Sequence, residues 1–314
     1  MQELELSYCV VNTAKRELLQ RALDSIARER ERLPFGCEVL VLDNGSGDGS
    51  DVLARAHRAV DETIVLQRRR GKALNDSELL RRARGRYALL MNEDTELQAG
   101  ATMALHGALE QHQRAALAGA RLVRPDGSPQ ACAWRFPTPL TAAGAVLLLH
   151  RLFTVQSRGS RTREVDWCQS SALLVRRAAA AAVDYLDPDF FVYSDEVDFA
   201  RRLRDAGWRS VYVPGAVAVH HEQLATGALA ERRIVELARN RDRYMRKHHS
   251  RAAARAVRWL TALAYAQRAL AAALLPGQRP GRYWRHVLAT LMPDRGEGLR
   301  EAAEEYNRAL QPAL

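Results

Sequence analysis

The sequence predicts an α/β fold, a mostly parallel sheet flanked by helices, with an α-helical C-terminal extension. Three observations carry this. Strand-like apolar runs alternate with amphipathic stretches over the first hundred residues, three of those runs end in polar clusters, and after about Leu229 the pattern is purely helical and rich in Ala and Arg. Leu6 to Val11 is an apolar run closed by Asn12 and Thr13, and Leu18, Leu19, Ala22, Leu23 and Ile26 follow at helical spacing. Glu38 to Asp43 is a second strand, closed by the turn-rich DNGSGDGS of residues 43–50 and a further helical pattern. Thr63 to Leu66 and Tyr87 to Met91 are further strands, with helix-like Leu74 to Ala83 between them. In such sheets ligands bind outside the carboxyl ends of the strands, here Asn12, Asp43 and Asn92 to Asp94.

Further along, Arg121 to Ser128 predicts a strand entering a Pro-Asp-Gly turn, and residues 137–159 a loop carrying the helix-like AVLLLHRLF. Val165 to Arg176 is another strand region. A helix begins near Ser194, with Val197, Ala200 and Leu203 on one face and Gly207 closing it. Val211 to Val213 and Val217 to Val219 predict two short strands leading into His220 and His221.

The chain of 314 residues holds 47 Lys and Arg against 37 Asp and Glu, a net charge of +10. Its 47% hydrophobic content excludes a disordered chain. Between Arg232 and Arg285 stand 14 cationic residues against Glu236 and Asp242, a local charge of +12, so the remainder sums to −2. A near-neutral body therefore carries a basic C-terminal part. Cys9, Cys37, Cys132 and Cys168 have no paired spacing, which argues against a zinc site or redox dithiol and fits a reducing compartment. The N-terminus lacks the pattern of a secretory signal, and Gln267 with Arg268 interrupts the best apolar run short of the roughly 18 residues a membrane span needs. A cytoplasmic protein is expected, lying on the inner face of a membrane if its C-terminal part binds one.

The candidate chemistry lies at the strand ends. The glycines at 45, 47 and 49 miss the G-x-G-x-x-G offsets, which disfavours a dehydrogenase. Asp43, at a strand terminus, is placed to accept hydrogen bonds from a nucleobase, while the loop after it also reads as ordinary turns. Asn92, Glu93 and Asp94 concentrate oxygen ligands suited to Mg2+ or Mn2+ and a diphosphate, or simply form an acidic turn. Asp195, Glu196 and Asp198 open a helix, where acids complement the dipole; one of them facing the crevice would be a general base. His220 is a metal ligand only if the fold brings it to the acidic loop.

Eight blocks, in this order, resemble the inverting glycosyltransferase family 2 and its bacterial rhamnosyltransferase-like branch. They are VVNTA (10–14), VLDNGSGDGS (41–50), ARGRYALLMNEDT (83–95), RLVRPDGS (121–128), RFPT (135–138), VDWCQSSALLVRR (165–177), FFVYSDEVDFARRLRDAGW (190–208) and VYVPGAVAVHH (211–221). The resemblance implies a GT-A fold over residues 1–230, with a nucleotide-sugar half to about 120 and an acceptor half beyond, followed by a basic helical region over 231–314. It implies that Asn12, Asp43, Gly71, Asn92, Glu93 and Asp94 border the nucleotide-sugar, and that Asp94 and His220 hold a divalent cation. It implies further that Glu196, with Asp195 as its rival, is the catalytic base, that Asp166 and Trp167 line the acceptor and diphosphate side, and that Asp198 is structural or acceptor-binding.

Several positions depart from the family pattern. Glu93 stands where proline is usual, Arg69 and Lys72 stand where Asn and Phe flank Gly71, Asp76 replaces a common Asn, and Ser170 replaces a frequent glycine. The expected donor is a dTDP- or UDP-linked sugar, rhamnose or another hexose. The expected acceptor is a hydroxyl of a glycan or lipid-linked glycan in cell-surface polysaccharide synthesis. The basic C-terminal part reads as amphipathic helices on anionic lipid, as a solvent-coated bundle or as a homodimer contact. The rival reading is a non-catalytic polyanion-binding or nucleic-acid-binding protein; the low aromatic content, 6%, speaks against base stacking, and no nucleic acid is expected as a partner of the transferase.

Overall fold

A computed structural model describes residues 4–221, 228–275, 277 and 279–310. The elements run β1 (Leu4–Asn12), α1 (Arg16–Arg30), β2 (Gly36–Asp43), α2 (Ser50–Ala56), β3 (Glu62–Val65), α3 (Lys72–Arg82), β4 (Tyr87–Asn92), β5 (Thr95–Leu97), α4 (Ala101–Gln111) and β6 (Ala115–Val123). They continue with β7 (Ala133–Trp134), α5 (Pro139–Val146), α6 (His150–Phe153), β8 (Arg163–Val165), β9 (Trp167–Cys168), β10 (Ala172–Arg176), α7 (Arg177–Ala182), α8 (Asp195–Asp205) and β11 (Arg209–His220). Four helices follow: α9 (Ala228–His248), α10 (Arg251–Leu274), α11 (Pro280–Leu291) and α12 (Leu299–Ala309).

The main sheet has the order β3-β2-β1-β4-β10-β6-β11-β5, with β8 also paired to β11. β3, β2, β1 and β4 are parallel, as the alternating pattern predicted, and β10 enters antiparallel between β4 and β6. The apolar runs of β1, β2 and β4 are buried along nearly their whole length, which requires cover on both faces.

Two strands differ from expectation. β6 starts at Ala115 rather than near Arg121, because the stretch AALAGA, of weak strand propensity, is held between β10 and β11 at the sheet centre. The two short strands expected after Val211 are one strand, Arg209–His220, with Pro214 and Gly215 absorbed in a register shift between Val213 and Val217. The loop over 137–159 contains α5, whose Thr138 and Thr141 form a reciprocal cap, and the short α6.

The basic C-terminal part is less free than its composition suggests. Lys247 of α9 pairs with Asp187 and Asp198, Arg243 with Asp189, Arg258 with Asp242, and Arg239 with Glu301. Much of its charge clasps acids of the sheet-bearing part and of α12. Among the described residues no helix is long and apolar enough to cross a membrane.

Candidate active site at the strand ends

Strand register builds the site. Parallel pairing sets Asn12 opposite Asp43 and Val11 opposite Asn92, so the polar ends of β2, β1 and β4 lie side by side. Antiparallel pairing of β5 with β11 sets His220 opposite Thr95, and the His221 amide donates to the Asp94 carbonyl at 2.9 Å. Two histidines far along the chain are thereby delivered to the acidic loop.

His220 Nε2 stands 3.3 Å from Asp94 Oδ1, a buried oxygen with no hydrogen-bond partner among the described residues. The other ring nitrogen, Nδ1, lies 3.1 Å from Gln130 Oε1. An imidazole donating from Nδ1 to that carbonyl oxygen keeps its Nε2 lone pair toward Asp94, the tautomer a metal ligand needs. Ser171 Oγ lies 3.2 Å from His220 Nε2 and accepts from Asn92 Nδ2 at 3.1 Å, which ties the end of β4 to the histidine. An orphaned carboxylate oxygen beside an oriented imidazole fits a divalent cation that takes its remaining ligands from a diphosphate. Glu93 lines the same cavity, where burial first and Asp94 second push its pKa up to about 7.

Asn12 and Asp43 sit behind the wall rather than on it. Asn12 Nδ2 donates to Asp43 Oδ1 at 2.8 Å and to Ser46 Oγ at 2.9 Å, and the Ser46 amide donates to Asp43 Oδ2 at 3.1 Å. Their successors Thr13 and Asn44 line the cavity instead, joined by Asn44 Nδ2 to Thr13 Oγ1 at 3.2 Å. Gly71 is also a positioning residue. A Cβ there would lie 2.7 Å from the Phe191 carbonyl oxygen, which accepts from the Lys72 amide at 2.7 Å. The glycine lets the segment before α8 approach α3.

The cavity holds about 550 Å3. One wall is the expected one, with Asn92, Glu93 and Asp94; the opposite wall is Arg232 of α9 with Leu299 and Tyr306 of α12. Sequence reasoning missed that second wall, since no motif marks residues 231–314. Tyr306 Oη donates to the Ser46 carbonyl at 3.3 Å, Asn307 bonds both backbone groups of Arg69 at 2.7 and 3.0 Å, and the Arg69 guanidinium lies 3.5 Å over the Tyr306 ring.

The departures around Gly71 account for one another. Lys72 Nζ pairs with Asp76 Oδ2 at 2.7 Å, one helical turn on, and both side chains are largely buried. Burial alone would lower the Lys72 pKa, but Asp76, Asp195 and Glu196 together raise it. An ion pair thus stands where the family pattern has Phe and Asn, beside the acid pair.

That pair opens α8 after Tyr193 and Ser194, both in left-handed conformations at φ 66° and 60°. Asp195 is 1% exposed, and among the described residues neither of its oxygens has a hydrogen-bond partner. Burial first, then the Glu196 charge, raise its pKa well above the aspartate range, although Lys72 opposes this. Glu196 is only half-buried.

On the acceptor side the expectations divide. Trp167 stacks on Trp134 with ring centres 4.5 Å apart and borders a second cavity. Asp166 is a brace, accepting from Arg204 Nη1 at 2.5 Å and from the Phe136 amide at 2.9 Å. Asp198, for which a structural or an acceptor-binding role was open, is 0% exposed, and its oxygens contact His248 at 2.6 Å, Lys247 at 2.7 Å and Arg202 at 2.7 Å. Burial would raise its pKa, but these three partners outweigh it and hold the carboxyl at about 2. Asp198 locks α8 to α9.

The sequence model of Glycosyl transferase family 2 matches residues 7–202. An N-acetylglucosaminyl-diphospho-decaprenol L-rhamnosyltransferase of Mycobacterium tuberculosis is 31% identical over 239 residues, 67% of this chain and 73% of that protein. Among solved structures, the mannosyltransferase PcManGT from Pyrobaculum calidifontis in complex with GDP-Man and Mn2+ aligns with a TM-score of 0.56 at 17% identity, over 98% of this chain and 84% of that one. GalNAc-T7 with UDP, GalNAc and Mn2+ aligns with a TM-score of 0.57 at 13% identity, over 98% of this chain and 57% of that one. At these identities the structural matches speak for the fold, which is GT-A with a helical C-terminal region.

Proposed function

The chain belongs to glycosyl transferase family 2 and is a rhamnosyltransferase-like glycosyltransferase, and from that premise we propose that it moves a sugar from a nucleoside-diphosphate donor to a hydroxyl of a lipid-linked glycan, with inversion and with a divalent cation. The reading places the protein on the cytoplasmic face of a membrane, in cell-surface polysaccharide synthesis, with dTDP-rhamnose as the leading donor and UDP- or GDP-linked hexoses as alternatives. The acceptor in the name of the mycobacterial relative, an N-acetylglucosaminyl-diphospho-decaprenol, supports the lipid-linked class. The observation that carries the proposal is the convergence of His220 on Asp94, a carboxylate that lines a cavity walled by strand ends.

Each of this chain's groups has a role in the reading. Thr13 and Asn44 meet the nucleoside, supported from behind by Asn12 and Asp43. Arg69 faces the cavity as a counter-charge to the diphosphate, while Arg232 on the far wall is paired with Glu297 and Glu305. A divalent cation held by Asp94 and His220, when bound, supplies Lewis-acid neutralisation of charge on the leaving diphosphate, worth several kcal/mol. Glu196 takes the proton of the acceptor hydroxyl as that oxygen bonds to the anomeric carbon and the bond to the diphosphate breaks, releasing nucleoside diphosphate. Asp195 is the weaker candidate for base, since its raised pKa disfavours the ionised form that would accept a proton. The test is release of nucleoside diphosphate from dTDP-, UDP- and GDP-sugars with Mg2+ or Mn2+ present.

A further inference from the structure

The start of α3 offers the first cavity polar side chains that the protein does not itself satisfy. Arg70, Lys72 and Asn75 all line that cavity. Asn75 is 0% exposed; its Oδ1 accepts from Arg70 Nε at 3.2 Å, which fixes the amide, and among the described residues its Nδ2 has no partner. Arg70 Nη2 is likewise buried without a partner there, although Asn44 clamps the Arg70 backbone at 2.8 and 3.1 Å. Asn75 follows Lys72 at i,i+3, so the two side chains share a face of the helix. An ammonium has three N–H groups, and among the described residues Lys72 donates only to Asp76 Oδ2, at 2.7 Å. Donors left unmet in so buried a place are costly unless a ligand takes them.

The surroundings of Lys72 define the class of that ligand. Its amide donates to the Phe191 carbonyl at 2.7 Å, which sets it against the segment leading to Asp195 and Glu196. Its charge acts on those two acids and on Glu93 in the turn between β4 and β5. Lys72 therefore lies between the Asp94 end of the cavity and the acid pair. In a displacement with inversion that interval holds the sugar ring, with diphosphate leaving on one side of the anomeric carbon and the acceptor oxygen arriving on the other. A diphosphate suits Lys72 poorly, because the paired Asp76 already offsets its charge and two further acids stand close. A hydroxyl suits it well, since it accepts from an ammonium or an amide and donates to a carboxylate.

We propose that Lys72 and Asn75 hydrogen-bond hydroxyls of the transferred sugar and so select the donor by its hydroxyl pattern. The inference rests on the transferase reading and adds which part of the donor this chain's departures meet. Phe at position 72, as in the family pattern, would present only carbon to the same space. Asp76 has a second task beyond pairing: it restrains a long, flexible side chain, which reduces the ordering cost of holding a sugar.

The test varies donor and enzyme together. The sugar nucleotide that wild type turns over fastest is assayed beside analogues that each lack one sugar hydroxyl, with wild type, Lys72→Phe/Asp76→Asn and Asn75→Ala. Loss of one particular hydroxyl is expected to cost wild type about tenfold or more in kcat/KM and the Lys72→Phe/Asp76→Asn protein about threefold or less. Asn75→Ala, which leaves the ion pair in place, is expected to lose sensitivity to a different hydroxyl. Effects of deoxygenation on intrinsic reactivity are common to the three proteins and cancel in the comparison, as does a general loss of activity from disturbed packing. Identical hydroxyl profiles in all three overturn the proposal. Inorganic pyrophosphate with Mn2+ is expected to inhibit all three alike; weaker inhibition of both variants with unchanged hydroxyl profiles would assign these residues to the diphosphate and also overturn it. Failure of the transferase reading is seen separately, as a wild type that turns over no nucleotide sugar.

Discussion

His220 Nε2 faces Asp94 Oδ1 at 3.3 Å because β5 and β11 pair antiparallel, which sets the end of β11 against the start of β5, while Gln130 holds the far side of the ring at 3.1 Å. If Asp94 and His220 bind a cation, the carbonyl oxygen of Gln130 fixes the tautomer that does so. Gln130→Leu is therefore expected to weaken Mn2+ binding about 10- to 100-fold, and His220→Ala to weaken it at least as much. Metal titration of nucleoside diphosphate binding checks both; equal metal affinity in Gln130→Leu and wild type would remove the orienting role.

The Lys72–Asp76 pair is suited to a double-mutant cycle. Removing one partner leaves a buried charge, so Lys72→Phe and Asp76→Asn alone are each expected to destabilise by about 3 kcal/mol. The double change, which restores the family pattern at both positions, is expected to recover most of that loss. Denaturant unfolding of the four proteins reads the coupling, and strictly additive losses would show that the two residues are independent.

Tyr306 brings the C-terminal helix to the nucleotide cavity. Tyr306→Ala removes both the ring under Arg69 and the hydroxyl on Ser46, and is expected to raise the Kd for nucleoside diphosphate about tenfold, whereas Tyr306→Phe keeps the stack and most of the affinity. Equal affinity in all three proteins would leave α12 a bystander.

Asp198 makes stability depend on pH. Its folded pKa of about 2 lies below the ordinary value of 3.8, so the contribution is fully present above about pH 4 and is lost as pH falls toward 2. It amounts to about 2 kcal/mol. Asp198→Asn is expected to be clearly less stable than wild type in urea at pH 6, and the gap is expected to narrow below pH 4. A gap that stays constant over that range would deny the linkage.

Much of the fold and of the first wall was legible in the sequence, because strand ends in a parallel sheet converge and their polar residues stand out against apolar runs. That His220 would approach Asp94 was expected only through the family's block order, since 126 residues separate the two in sequence. Lys72 and Asp76 already stood one helical turn apart, but each was weighed singly as a departure, and only burial shows that they pair. Asp198 stayed open between a structural and an acceptor-binding role because an acid in a helix's first turn looks alike whether it meets solvent, substrate or, as here, cations from a helix packed later in the chain. The Tyr306 wall left no trace, since an Ala- and Arg-rich helical stretch does not say which face returns to a distant loop.

The central claim is tested most directly by nucleoside diphosphate release from a panel of dTDP-, UDP- and GDP-sugars, with a lipid-linked glycan acceptor and Mg2+ or Mn2+, for wild type, Asp94→Ala and Glu196→Gln. The account predicts turnover with one class of donor, abolished by chelation and by Asp94→Ala. It predicts a fall of about 10²- to 10⁴-fold in kcat in Glu196→Gln with donor KM little changed. Turnover that survives both chelation and Asp94→Ala, or no turnover of any nucleotide sugar, would contradict it.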